Sequence, residues 1–282
     1  MAEKLLTATD CLYAMGYGHR VCQDYARAGP GYAIVSDGCS GAKDSDIGAR
    51  LLVLAAEQSI HCFKEPDDAE LFVTKVVISA AASARAMSLK EDCLDATLMI
   101  LKAVGDTVWA IIYGDGFLVY KLRGETWCEQ VKYGEFPNYP SYRLSPSRKA
   151  QVKEGSVNTS LVDGSEELFK TIEWAKIGKT KTVPLKGDFF CMQLPAGTGS
   201  LSFAAVFTDG LGSFTQRADT ETSKTDSPVP FDQVLPDLVA FRGTQGAFVQ
   251  RRYQKFIREQ EKMLQNHFDD LGIGVIAFGD EP

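Results

Sequence analysis

The chain has 282 residues, of which 45% are hydrophobic and 24% charged, so it can bury a sizeable core and is neither disordered nor fibrous. A net charge of −7 argues against a nucleic-acid-binding surface as its main function and suits a site that gathers divalent cations. No stretch approaches the ~18–20 continuous apolar residues of a membrane span. No basic flank and long apolar core open the chain, so no signal peptide is expected. The seven cysteines are widely spaced, odd in number and without a Cys-x-x-Cys pair, which fits reduced thiols in a cytoplasm better than a disulfide framework or a zinc site. Three histidines are too few for a His-rich metal site, so any metal would be held by oxygen.

In chain order, residues 4–15 hold one or two short strands, and Gly16-Tyr17-Gly18-His19-Arg20 is a loop. Residues 32–36, apolar and partly β-branched, form a buried strand that ends at Asp37-Gly38. From 46 to 61, Ile47, Leu51, Leu54 and Ala55 share one helical face, with Asp44 or Ser45 as the cap. A second helix over 68–87 carries a stripe of Val73, Val76, Val77, Ala80, Ala81, Ala84 and Met87. Strand signals at 96–104, 108–113, 117–122 and 127–131, separated by tight turns, predict an antiparallel meander. Residues 132–187 resemble an insert, with a short helix or strand at 166–175. Strands at 189–194 and 202–208 look like a pair, and 215–230 is read as an exposed or mobile loop. A short helix falls within 231–241. A long amphipathic helix covers 247–265, with Thr244 as candidate cap and Val249, Tyr253, Phe256, Ile257 and Leu264 inward. Its basic run from Arg251 to Lys255 is taken as a solvated face. The last strand is 271–278. Helices cluster apart from strands and no linker divides the chain, so one α+β domain with mainly antiparallel sheets is expected over 1–282.

Four aspartate positions share one setting at the ends of apolar runs. Asp37 ends 32–36, Asp115 sits within Gly114-Asp115-Gly116, Asp209 follows 203–208, and Asp269-Asp270 open the last strand. Carboxylates gathered at one mouth repel unless a cation neutralises them. Oxygen donors with no His or Cys among them select Mg²⁺ or Mn²⁺. A pair of such ions acidifies bound water and clamps the oxygens of an in-line phosphoryl displacement.

These pieces resemble the type 2C metal-dependent protein phosphatases, in order, from Gly18 to Phe278. The resemblance rests on Gln23-Asp24, Val35-Ser36-Asp37-Gly38-Cys39-Ser40-Gly41, Asp95-Ala96-Thr97, Gly114-Asp115-Gly116, Phe207-Thr208-Asp209-Gly210-Leu211 and Asp269-Asp270-Leu271. It implies a four-layer α-β-β-α sandwich with two packed antiparallel sheets. It also implies a Ser/Thr phosphoprotein phosphatase using two Mg²⁺ or Mn²⁺ ions, with a possible third, and opposing a Ser/Thr kinase. No nucleic acid or membrane partner is implied. By the same resemblance Asp37 would bridge two metals, the Gly38 carbonyl would bind one, and Asp209 and Asp269 would complete the second. Asp115 with Asp209 would form the third site. Asp24 would orient metal-bound water, which as hydroxide would attack phosphorus directly.

The chain departs from the family pattern in four places. The position of the phosphate-binding arginine is His19, with Arg20 next to it, and either side chain is a candidate for phosphate. Cys39 stands where many relatives carry a general-acid histidine. Asp95 stands where a glycine is usual before Thr97. The segment after Gly116 does not resemble the usual flap, which points to a divergent bacterial-type branch. Two alternatives follow: a catalytically weak metal-binding module that holds phosphorylated partners, and an aspartyl-phosphate hydrolase with Asp37 as nucleophile. The second lacks the aspartate expected at Cys39. Asp44 and Asp46 are read as helix caps, and His61 and His267 as helix-face or helix-end residues.

Overall fold

The computed structural model describes residues 7–65, 68–134, 137–152, 154–163, 180–185, 188–197, 200–217 and 226–278. Strands β1 (Thr7–Ala14), β2 (Asp24–Gly29) and β3 (Tyr32–Asp37) lead into helices α1 (Ser45–Ser59) and α2 (Ala69–Ala86). Strands β4 (Leu98–Val104), β5 (Thr107–Tyr113), β6 (Gly116–Leu122) and β7 (Glu125–Lys132) follow, then a short helix α3 (Pro146–Lys149). Next come β8 (Ser156–Asp163), β9 (Thr180–Pro184), β10 (Phe190–Pro195), β11 (Leu201–Phe207), β12 (Phe214–Gln216) and β13 (Ser227–Pro228). Helices α4 (Phe231–Leu238) and α5 (Phe248–Lys262), with β14 (Gln265–His267) and β15 (Leu271–Phe278), complete the order.

The strands form a seven-stranded sheet, β1-β15-β11-β6-β7-β8-β9, and a five-stranded sheet, β10-β5-β4-β3-β2, with all pairs antiparallel. A small sheet, β13-β12-β14, lies apart. Side chains alternate across each strand, and here both faces are covered. In β3, Ala33 and Val35 enter the core between the two large sheets, while Ile34 faces α1 and α2. In β4, Met99 and Leu101 face the opposite sheet and Leu98 and Ile100 the helices. Across the gap, Val206 and Ile276 face inward, whereas Phe207 and Val275 pack toward α4 and α5. The result is the four-layer α-β-β-α sandwich, and burial on two faces is why these strands read as unbroken apolar runs.

Several local expectations are corrected. The meander breaks at Gly114-Asp115-Gly116: β4 pairs with β5 and β6 with β7, but β5 and β6 lie in different sheets. Gly114 has φ +81°, a left-handed turn that glycine makes without strain, and there the chain crosses between sheets. Likewise β10 and β11 are not a pair, since β10 edges the five-stranded sheet and β11 sits inside the other. Part of the insert is sheet, because β8 and β9 extend the seven-stranded layer. The 166–175 element lies outside the described residues. The loop 215–230 is bounded by paired strands, β12 against β13. Asp44 occupies the N-cap position of α1 at φ 60° but makes no side-chain cap, and the N-cap of α5 is Ala247 rather than Thr244. Leu264 is 51% exposed just beyond α5, so it does not join Phe256 and Val249 in the core.

Candidate metal centre

The carboxylates meet at one end of the sandwich because strands from both sheets end there. In the five-stranded sheet Asp24 opens β2 and Asp37 closes β3, directly opposite in register. The Asp37 backbone is fixed on both sides by Thr97: its N–H donates to Thr97 Oγ1 at 3.0 Å, and its carbonyl accepts from Thr97 N at 2.8 Å. Gly38 is required here, since a Cβ would come within 2.6 Å of the Ser45 carbonyl oxygen. Asp24 is 1% exposed, and its Oδ2 accepts from Thr208 Oγ1 at 2.7 Å. Its Oδ1 is buried with no N–H or alcohol donor among the described residues. Beside this carboxyl lies that of Asp37, and the two make a side-chain hydrogen bond, which a pair of carboxyls forms only by holding a proton between them. Desolvation raises the pKa of Asp24, and desolvation followed by the charge of Asp24 raises that of Asp37.

The seven-stranded sheet supplies the other wall. Asp209 follows the end of β11, and Asp269 precedes β15, its antiparallel neighbour. The turn after Asp209 is pressed so closely on the Asp270 carbonyl that a Cβ on Gly210 would collide with it. Asp269 is tied down through its N–H to Ser213 Oγ at 3.0 Å. Asp115, carried on the crossover between sheets, accepts from Tyr133 N at 2.8 Å. Asp115, Asp209 and Asp269 line one cleft of about 310 Å³ together with Lys132, Tyr133 and Ser213. Asp209 lies at the open mouth, yet packed protein on its other sides strips water from the carboxyl. That desolvation, then the charges of Asp269 and Asp115, pushes its pKa up to about 6. Desolvation also lifts Asp115 to about 6.

The two candidate cations differ. His19 spans the closing pair, with Nε2 3.2 Å from Asp269 Oδ1 and Nδ1 3.0 Å from Asp270 Oδ2. Arg20 is exposed and has no ion-pair partner among the described residues. Asp270 was legible only as a neighbour of Asp269, but it is 1% exposed and accepts from Gly16 N at 2.8 Å and Gln23 N at 2.6 Å as well as from His19. His267 is not on a helix. It ends β14, buried, and donates from Nδ1 to the Asp269 carbonyl at 2.7 Å while Nε2 accepts from Tyr253 at 2.6 Å. Burial lowers its pKa, so the neutral tautomer that this pattern requires is the stable one. Thr208 and Asp270 fall within the quoted motifs and His267 in none, but no local signal shows what any of the three does, because their partners lie far away in the chain. His61 is exposed on the surface.

The departures from the family pattern are joined in space. The Asp95 carbonyl accepts from Cys39 N at 2.8 Å, and its side chain takes Ser141 Oγ at 2.8 Å and forms an ion pair with Arg148. Asp95 thereby fastens the segment 137–150 beside the Cys39 loop, where Tyr139 reaches the Cys39 thiol. All seven cysteines are free.

The Asp24–Asp37 pair, held together only through a proton and facing Asp209 and Asp269, fits a hard divalent cation such as Mg²⁺ or Mn²⁺, and the nearby His19 nitrogens are engaged by Asp269 and Asp270. The raised pKa values set a sign. A carboxyl whose folded pKa lies above its unfolded value favours the fold while protonated. That contribution is complete below the unfolded value of 3.8 and is lost as pH rises through about 6 for Asp115 and Asp209. The cation-free chain should therefore lose thermal stability over this window. Because protons and cations compete for the same oxygens, Mn²⁺ should raise Tm more at about pH 7.5 than at about pH 5. An equal rise at both pH values, read by differential scanning fluorimetry, would remove these carboxyls from cation binding.

The serine/threonine phosphatase PstP/Ppp of Mycobacterium tuberculosis is 14% identical with a TM-score of 0.54, covering 98% of this chain and 100% of that one. The catalytic domain of PstP in complex with two manganese ions is 13% identical, with a TM-score of 0.55 and the same coverage. The S. agalactiae serine/threonine phosphatase is 12% identical with a TM-score of 0.56, covering 97% and 100%. At such identities the likeness is one of fold. No curated protein sequence matches the chain. The family model for protein phosphatase 2C aligns with residues 17–247, a span that begins beside His19 and takes in Asp24, Asp37, Asp115 and Asp209, and by that match the chain belongs to the protein phosphatase 2C family.

Proposed function

We propose that the chain is a divalent-cation-dependent phosphatase that removes phosphate from serine and threonine in proteins, opposite a Ser/Thr kinase in the cytoplasm. The observation that carries this is the convergence of strand-end carboxylates from both sheets, with Asp24 and Asp37 paired, Asp209 and Asp269 facing Asp37, and Asp115 beside Asp209. Asp37, the Gly38 carbonyl, Asp209 and Asp269 would hold two Mg²⁺ or Mn²⁺ ions, and Asp115 with Asp209 a third. Bound there, the ions supply positive charge to a phosphoryl group and acidify water. Asp24, locked by Thr208 through Oδ2, would turn its other oxygen from the proton shared with Asp37 to a proton of the attacking water once cations occupy the centre. Arg20, uncommitted, is the cation that takes a phosphoryl oxygen. His19, held between Asp269 and Asp270, positions those two and is not the phosphate ligand. The manganese ions in the related PstP domain support this reading.

The test is hydrolysis of a phosphothreonine peptide in Mn²⁺, in Mg²⁺ and in chelator. Turnover is expected with either ion and not with chelator. Turnover that survives chelation overturns the cation requirement. Phosphopeptide binding without turnover would favour the metal-binding module instead.

A further inference from the structure

A group of cations lies at the start of α5. The loop after α4 wraps the first two turns of that helix and leaves a cleft of about 340 Å³, lined by Phe241, Arg242, Phe248, Arg251, Arg252 and Lys255. A solvated helix face would leave such side chains unfixed. Here Arg251 Nη2 donates to the Gln245 carbonyl at 2.5 Å and Arg252 Nε to the Asp237 carbonyl, so both guanidinium groups are held in place with donors to spare. Arg242 is exposed and has no ion-pair partner among the described residues. The facing acids are few: Asp237, 70% exposed and 4.0 Å from Arg252 Nη2, and Glu259, 4.0 Å from Lys255. Asp10 is committed to the helix start, accepting from Val249 N at 2.7 Å. Four cations against two loosely placed carboxylates leave the cleft positive on a molecule of net charge −7. Its apolar wall is the edge-to-face pair Phe241 and Phe248, 5.3 Å between centroids.

We propose that this cleft is an anion-binding docking site for a phosphorylated side chain of a protein ligand, separate from the carboxylate centre. The ligand chemistry follows from the walls. Fixed arginines match phosphate oxygens in geometry and charge. The Phe pair accepts the apolar part of a residue that carries the phosphate. Inorganic phosphate would leave most of the volume unfilled, and a concave cleft fits a side chain better than a bilayer surface.

The test uses the full chain in chelator, where the carboxylate centre repels phosphate, so that phosphate binding reports on the cleft alone and is independent of whether the chain is a phosphatase. A phosphothreonine peptide is titrated by calorimetry against wild type, Arg242→Glu and Arg251→Glu. Binding is expected for the phosphorylated peptide and not for its unphosphorylated form, falling at least about tenfold in each variant and weakening with salt. Arg242→Glu removes no internal bond, so it reports on binding even if Arg251→Glu disturbs the loop. With Mn²⁺ present, hydrolysis of a small aryl phosphate by Arg242→Glu should equal that of wild type. Absence of peptide binding, or binding indifferent to Arg242→Glu, overturns the proposal. So does inorganic phosphate binding as tightly as the peptide, or tighter binding to vesicles of anionic phospholipid.

Discussion

Asp37→Asn is expected to abolish cation-dependent phosphothreonine hydrolysis, by about three orders of magnitude or more, while making the cation-free chain more stable. The two effects have one cause. Desolvation penalises the ionised form of Asp37 most, and the charges of Asp24, Asp209 and Asp269 add to that cost. Asparagine has nearly the same shape and no charge. Its amide also offers Asp24 a permanent donor in place of the proton that the two carboxyls must share. The backbone is untouched, because the bonds that hold residue 37 run from its main chain to Thr97. A gain of about 1–2 kcal/mol is expected in chelator at neutral pH, the worth of replacing a shared proton by a permanent donor. In Mn²⁺ the order should reverse, since wild type then gains from binding and the variant does not. Urea unfolding in chelator and in Mn²⁺, beside peptide hydrolysis, reads all three. A variant less stable than wild type in chelator would mean that the carboxylates are not in conflict, and the cation argument would fail with it.

The carboxylates were legible in the sequence because each sits where an apolar run stops, and the sheets bring such ends to one edge. The four layers were implied by the family resemblance and not by patterning, which reached only an α+β domain with mainly antiparallel sheets; runs such as 32–36 and 203–207 agree with strands covered on both sides. Pairing was less legible. Gly114-Asp115-Gly116 and Arg123-Gly124 look alike as turns, but the first passes between sheets and the second closes a hairpin. What separates them is whether the following strand finds partners in β11 or in β4, and that is decided nearly a hundred residues away. The same limit hid Asp95. Its aspartate looked like a defect in a motif until Ser141 and Arg148 arrived from the segment 137–150 to use it. His19 and Arg20 are adjacent in sequence and were equivalent as candidates. Only the position of Asp270, some 250 residues away, shows that one is already taken.

Asp270 should be the most damaging single truncation at the site, and for a reason unlike that of Asp37. Its two oxygens already receive Gly16 N, Gln23 N and His19 Nδ1, so it has little capacity left for a cation even though it lies within reach of His19 and Asp269. Asp270→Ala would leave two backbone N–H groups without an acceptor in a place 1% exposed to solvent. Each orphaned donor costs about 1–3 kcal/mol, so a loss of about 3–5 kcal/mol is expected, with or without Mn²⁺. Activity should fall even where the variant is folded. Gln23 precedes Asp24, and releasing its N–H frees the start of β2, which aligns Asp24 with Asp37. Asp270→Asn keeps one acceptor oxygen and should lie between, because its amide turns a donor toward a donor. The contrast with Asp37→Asn is the decisive measurement: in chelator one variant should melt higher than wild type and the other lower. If Asp270→Ala instead melts higher in chelator and loses only the Mn²⁺-dependent rise, then Asp270 is a cation ligand rather than the clamp that holds the first loop to the last strand.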